Sequence, residues 1–117
     1  MKITLSNLSE ATEQQVFDQV KNHMLTQMKK SMFVSNGDIC AYRGLDGLQC
    51  AAGCLMSDEE ASKIPEQKSW YALSIKELVP KDHFELISEL QDIHDIENPD
   101  EWAESLERLA SYRELTF

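Results

Sequence analysis

Three cysteines, three histidines and one isolated arginine are the residues of this sequence whose types and spacing bear most directly on chemistry. Cys50 and Cys54 enclose three residues, and Cys40 stands ten positions before Cys50. Zinc sites favour two residues between paired ligands, so no metal and no cofactor is expected here. Small neighbours around Cys50 and Cys54 read instead as a buried segment holding reduced thiols. The sharper alternative is a nucleophile. Cys50 leaves a glycine-bounded turn, and a helix beginning there would favour its thiolate. His94, one turn after Leu90 on an apolar stripe, would serve as the base, with Asp95 orienting the ring. The plainer reading of His94 is a core histidine that must find hydrogen-bond partners, because an unpaired buried polar group is costly.

Arg43 stands between an aromatic residue and a glycine. Its guanidinium would clamp an acidic ligand or pair internally with Asp46, Asp95 or Glu59, and so acidic a chain favours the internal pair. Tyr42, Arg43, Asp46, Asp58 and Glu59 are the candidate binding residues. Gly44-x2-Gly47 is a turn and not a phosphate loop, since no Lys-Ser/Thr follows it. No Ser-His-Asp signature or metalloprotease helix occurs.

Positioning these groups falls to three amphipathic stretches. Val16, Phe17, Val20, Met24 and Met28 recur at helical spacing after a cap at Ser9 or Thr12, which predicts a helix over 10–30 ending at Lys29 and Lys30. Leu86, Ile87, Leu90 and Ile93 form a stripe on a helix capped by Asp82, over 82–96. Asn98-Pro99 starts a third, over 99–114, that buries Trp102, Leu106, Leu109 and Ala110. The last two make a helical hairpin. Met1–Leu5 alternates weakly, as a short strand would. Asn36-Gly37-Asp38 is a turn signal, and the runs 39–43 and 48–50 around the glycine turn predict a β-hairpin near 38–50. Residues 51–56 fit strand or helix equally. Ser57-Asp58-Glu59-Glu60 reads as the cap and first turn of a short helix ending before Pro65, and 74–79 make one or two turns before Pro80. The expected fold is therefore α+β: a single helix-dominated domain over 1–117 with three main helices and a small hairpin.

The chain has 117 residues, 42% of them hydrophobic, enough for one core and too few for two ordinary ones. Eleven basic residues against 21 acidic ones leave a net charge of −10. That argues against direct nucleic-acid binding and against an anionic membrane, both of which select a basic face. The excess is concentrated: residues 76–117 carry four basic and twelve acidic side chains, 4 − 12 = −8. Its plain reading is a solvated helical face, and its sharper one an acidic surface competing with nucleic acid for a basic partner. No stretch reads as a membrane span, the first eight residues do not resemble a signal peptide, and an odd cysteine count fits a reducing compartment. A cytoplasmic protein is expected, and nothing fixes its oligomeric state.

The run Cys40-Ala41-Tyr42-Arg43-Gly44 leads through Gly47 to Cys50-Ala51-Ala52-Gly53-Cys54-Leu55 and then Asp58-Glu59. With Leu90-Gln91-Asp92-Ile93-His94-Asp95 and Pro99-x2-Trp102-x3-Leu106-x2-Leu109-Ala110, it resembles a family of small uncharacterised proteins encoded by bacteriophages and prophages. The helix ending Leu25-Thr26-Gln27-Met28 also fits, so the resemblance spans most of 16–110. Met56-Ser57 stands where that pattern commonly has Ile-Pro. The family carries no settled activity, so the resemblance implies a setting: a small acidic protein, in the host cytoplasm, that binds and modulates a host or defence protein. The alternative from another class is a cysteine-dependent hydrolase or transferase using Cys50, His94 and Asp95. A structural role in the virion is less favoured, for lack of repeats or coiled-coil heptads.

Overall fold

The computed structural model of the chain describes residues 2–32 and 39–117. Among these its regular elements are all helices: α1 (Glu13–Gln27), α2 (Asp58–Ser62), α3 (Trp70–Ile75), α4 (Phe84–Ile96) and α5 (Trp102–Tyr112), with 3-10 turns at Leu5–Glu10, Leu45–Gly47, Gly53–Leu55 and Pro99–Glu101.

Thr12 starts α1. Its hydroxyl accepts the Gln15 N–H at 3.1 Å, and the Gln15 side chain accepts the Thr12 N–H at 2.8 Å. Such a reciprocal cap satisfies two donors that a helix start leaves open. Val16, Phe17, Val20 and Met24 are buried, as the 3.6-residue period requires. The helix expected over 10–30 is shorter at both ends, because Thr12 breaks it from the preceding 3-10 turn and Met28 leaves it in the left-handed region at φ 52. Lys30, just beyond, donates to the Asp95 carbonyl at 2.9 Å in the last turn of α4, where a cation suits the helix dipole.

In α4, Leu86, Ile87 and Leu90 are buried and Ile93 is half-buried. His83, not Asp82, occupies its cap position, with φ 59. Asn98 and Glu101 cap each other reciprocally ahead of α5, where Trp102, Leu106, Leu109 and Ala110 point inward. These helices pack in a triangle, each of α1, α4 and α5 against the other two, and α3 leans on α4. Arg113, beyond α5, ties the triangle by donating to Glu89 at 2.6 Å and to Glu13 at 3.4 Å.

The α+β expectation is overturned: no strand or sheet occurs among the described residues, and there is no β-hairpin over 38–50. The Asn36-Gly37-Asp38 turn lies outside the described residues. The Gly44–Leu48 turn does form, closed by Gly44 N–H donating to the Leu48 carbonyl at 2.8 Å, with Asp46 at φ 55 and Gly47 at φ 77. Its two arms do not pair because their backbone groups have other partners. Tyr42 and Arg43 give their N–H groups to the two oxygens of Glu66, at 2.9 and 3.0 Å. Gln49 exchanges both of its backbone bonds with the Gln27 side chain, at 3.0 and 2.8 Å. Cys40 makes an isolated antiparallel bridge with Met32.

The same device replaces the strand expected at Met1–Leu5. Ile3, buried, donates to and accepts from the Gln19 side chain, both at 2.8 Å. Gln14 does the same for Thr116 at 2.8 Å each way. An amide side chain has one acceptor and a donor in the geometry of a peptide group. Three glutamines of α1 thus stand where a neighbouring strand would stand.

Candidate functional site

Arg43 is consumed within the fold. Its guanidinium donates to the carbonyls of Tyr42 at 2.9 Å, Gly53 at 2.7 Å and Met56 at 2.9 Å, and to Asp58 at 2.9 Å. Five donors in a rigid fork suit it to gather three carbonyls at once. Gly53 makes this possible, since a Cβ there would meet the Tyr42 carbonyl oxygen at 2.5 Å. Its acidic partner is Asp58, not the Asp46, Asp95 or Glu59 that the sequence suggested. Tyr42 is buried, its hydroxyl donates to the Lys68 carbonyl at 2.6 Å, and burial pushes its phenol up from the ordinary range. Asp46 sits exposed at the turn. Asp58 and Glu59 are exposed too, and Glu59 pairs with Lys63 at 3.4 Å. Of the candidate binding residues, then, Tyr42, Arg43 and Asp58 come together as an internal clamp, and Asp46 and Glu59 are surface acids.

His94 is fully buried on the inner face of α4, stacked on Trp102 with ring centroids 5.4 Å apart. Its Nε2 accepts the backbone N–H of Ser31 at 3.0 Å, which assigns the proton to Nδ1, and Nδ1 donates to Asp95 at 2.7 Å. The Gln91 side chain donates to the same carboxylate at 2.8 Å and accepts the Ala52 N–H at 2.9 Å. The chain from Ser31 to Ala52 therefore crosses the core through three α4 side chains. His94 and Asp95 are paired as expected. Both ring nitrogens have partners, however, and neither is left to take a proton from a thiol.

The three thiols are buried and free. Cys50 Sγ accepts the Gly53 N–H at 3.4 Å, and the Cys54 thiol donates to the Ala51 carbonyl at 3.1 Å. A hydrogen bond to Cys50, with burial added, pushes the Cys40 thiol far above its ordinary range. Burial pushes Cys54 up to about 12, against the weaker pull of Lys2 and Arg43. The ambiguous 51–56 piece is a 3-10 turn over Gly53–Leu55. Among the described residues no three His, Cys, Asp or Glu side chains group as metal ligands, and no helix is long and apolar enough to cross a membrane.

The open surface lies elsewhere. Where the start of α3 meets α4, a cleft of about 250 Å³ is lined by Cys40, Trp70, Tyr71, Gln91, Asp92 and Asp95, among others. Ser69 caps α3 by accepting the Ala72 N–H at 3.0 Å and so orients the Trp70-Tyr71 pair. Trp70 is 2% exposed, yet its indole N–H has no acceptor among the described residues. Buried donors are rarely left so. Desolvation, with the nearby Asp95 and Glu89, raises the Asp92 carboxyl from its ordinary value. Tyr71 also walls a second, shallower groove with Ser74, Ile75, Lys81 and Phe84. Tyr71 and Ile75, which share that groove, are 62% and 59% exposed, and Leu78, past the end of α3, is 43% exposed.

Sequence reasoning missed this region. The signal was present in Tyr71 and Ile75 one turn apart, and in Asp92 one turn before Asp95. The Ser74–Val79 reading began and ended the helix one turn late and hid the first pair. No family model, no curated protein and no solved structure matches the chain.

Proposed function

We propose that this chain is a small acidic binding protein that engages a host or defence protein in the cytoplasm of a bacterial host. One observation carries the reading: the exposed apolar groups of Tyr71 and Ile75 adjoin a cleft edged by Asp92 and Asp95. Contiguous exposed apolar groups rimmed by polar ones mark interaction sites. The groups that would do chemistry offer no competing centre, since the polar atoms of Arg43 and His94 have internal partners. A net charge of −10 supports a basic protein partner over nucleic acid or an anionic membrane. The resemblance to phage and prophage proteins supplies the host or defence setting. The cysteine-dependent enzyme receives no support from the thiol environment described above.

A pull-down from lysate of the bacterium that carries the gene tests the reading, with wild type compared against the double variant Tyr71→Ala, Ile75→Asp. One partner retained by wild type, lost in the variant and released by salt is expected. Recovery of nothing in mild salt, or of the same proteins by both baits, overturns it.

A further inference from the structure

Resting on that binding reading, we infer that the partner is recognised through an extended segment that places an arginine side chain in the α3–α4 cleft and an apolar side chain in the adjoining groove.

Size speaks first. Small-molecule sites run to roughly 300–1,000 Å³ and enclose their ligand. A cleft of about 250 Å³ and an adjoining groove of about 320 Å³, both open to solvent and not enclosing, suit side chains carried on a peptide.

Chemistry selects the side chain. The cleft offers two carboxylates, Asp92 and Asp95, and two aromatic rings, Trp70 and Tyr71. Asp95 already accepts from His94 and Gln91, which fixes its position. Asp92, exposed at the rim, carries surplus negative charge, and a bound cation would relieve the repulsion among Asp92, Asp95 and Glu89. A guanidinium is planar and weakly hydrated, pairs with carboxylates in a fork and stacks on aromatic faces. Lys68 also lines the cleft, and its exposed side chain can turn to solvent as a cation enters. Trp70 lines the cleft from within the core at 2% exposure, with its indole nitrogen shielded from solvent, so Tyr71 is the more open of the two rings.

Continuity selects an extended segment. Tyr71 belongs to the cleft and to the groove, and its ring packs at 6.2 Å, tilted, on that of Phe84, which also lines the groove. One peptide passing over Tyr71 reaches both hollows, with alternate side chains directed to the same surface. The groove is lined by Tyr71, Ile75 and Phe84, which call for an apolar residue there.

The probes are three capped tripeptides: acetyl-Arg-Ala-Leu-amide, the same peptide with citrulline for arginine, and the same with alanine for leucine. Citrulline keeps the shape of arginine and removes its charge. Binding is followed by the NMR shifts of the Trp70 indole N–H and of the Ser88 and Asp92 amides. The arginine-leucine peptide is expected to move these signals at millimolar concentration, with each altered peptide weaker by about fivefold, the upper range for one rim ion pair or one part-buried side chain. Asp92→Asn, which leaves the core untouched, is expected to abolish the preference of arginine over citrulline. Equal binding of the arginine and citrulline peptides, or shifts that map away from α3 and α4, overturns the inference. So does preferential binding of an acidic tripeptide. Its failure is separable from that of the wider reading: a pull-down lost on Tyr71→Ala, Ile75→Asp but indifferent to Asp92→Asn keeps the binding protein and removes the arginine.

Discussion

The backbone N–H of Ser31 donates to Nε2 of His94 at 3.0 Å, across 63 positions of sequence. That one bond converts a potential base into a structural acceptor, because it occupies the lone pair a catalytic imidazole would use. Removing it strands Ser31 N–H inside the core, takes one of two donors from Asp95 and leaves a cavity beside Trp102. His94→Ala is therefore expected to lower unfolding free energy by about 3 kcal/mol. Asp95→Asn, which still accepts the Nδ1–H, is expected to cost about 1 kcal/mol. Urea denaturation followed by circular dichroism measures both, and a larger loss for Asp95→Asn would refute the assignment of roles.

Arg43→Lys tests the carbonyl clamp. A lysine can reach one of the three carbonyls at Tyr42, Gly53 and Met56 and strands the others, so a loss of about 2 kcal/mol is expected. Asp58→Ala removes only a carboxylate whose side chain is 92% exposed, and should cost under about 0.5 kcal/mol. Comparable losses in the two variants would mean that the ion pair, not the carbonyl gathering, holds the loop.

The thiols report on opening and not on reactivity. Cys40, Cys50 and Cys54 are 3%, 0% and 6% exposed, and two of the thiols are held in the protonated form by their surroundings. Alkylation at neutral pH is expected to proceed at the rate of structural opening, and to accelerate in His94→Ala in proportion to its lost stability. Fast labelling of Cys50 alone, slowed by His94→Ala, is the opposite outcome and would restore the nucleophile.

Acid acts through His23. Its Nε2 donates to the Gln49 carbonyl at 2.8 Å, but burial outweighs that bond and holds its pKa below the ordinary 6.5. The unfolded chain therefore binds this proton at a higher pH than the folded chain does. The contribution is present above 6.5 and declines as the pH falls through that value towards the folded pKa. Wild type should lose more stability than His23→Gln between about pH 7.5 and about pH 5.5, as read from paired denaturation curves. Equal losses would show that His23 does not couple to folding.

The helices were legible because their signals are local. Thr12 with Gln15, Ser57 with Glu60, and Asn98 with Glu101 spell three caps within four residues each, and the Val16–Met24 and Leu86–Leu90 faces follow one period. The hairpin misled because glycines around Leu45-Asp46 do specify a turn, and a turn is silent about what its arms pair with. That choice was made at a distance, by Glu66 and Gln27, whose identity as surface polar residues gives no hint of it. His94 and Asp95 could be paired from adjacency. Ser31 could not be added, since nothing in residues 29–32 marks an amide that donates to a ring 63 positions on. The α3 cleft depends likewise on where α3 leans against α4, which no local period encodes.

The glutamines of α1 have one more consequence, and it concerns mutational tolerance. A surface glutamine on a helix is ordinarily among the most replaceable residues, and Gln→Glu among the mildest changes. Here Gln14 donates to one backbone carbonyl, and Gln19 and Gln27 to two each, that a carboxylate would face oxygen to oxygen. Every glutamine codon becomes a glutamate codon by one change at its first base, so the gene lies a single nucleotide from that clash at three separate places. Variation in this protein should accordingly spare three polar positions that composition alone would mark as free to drift.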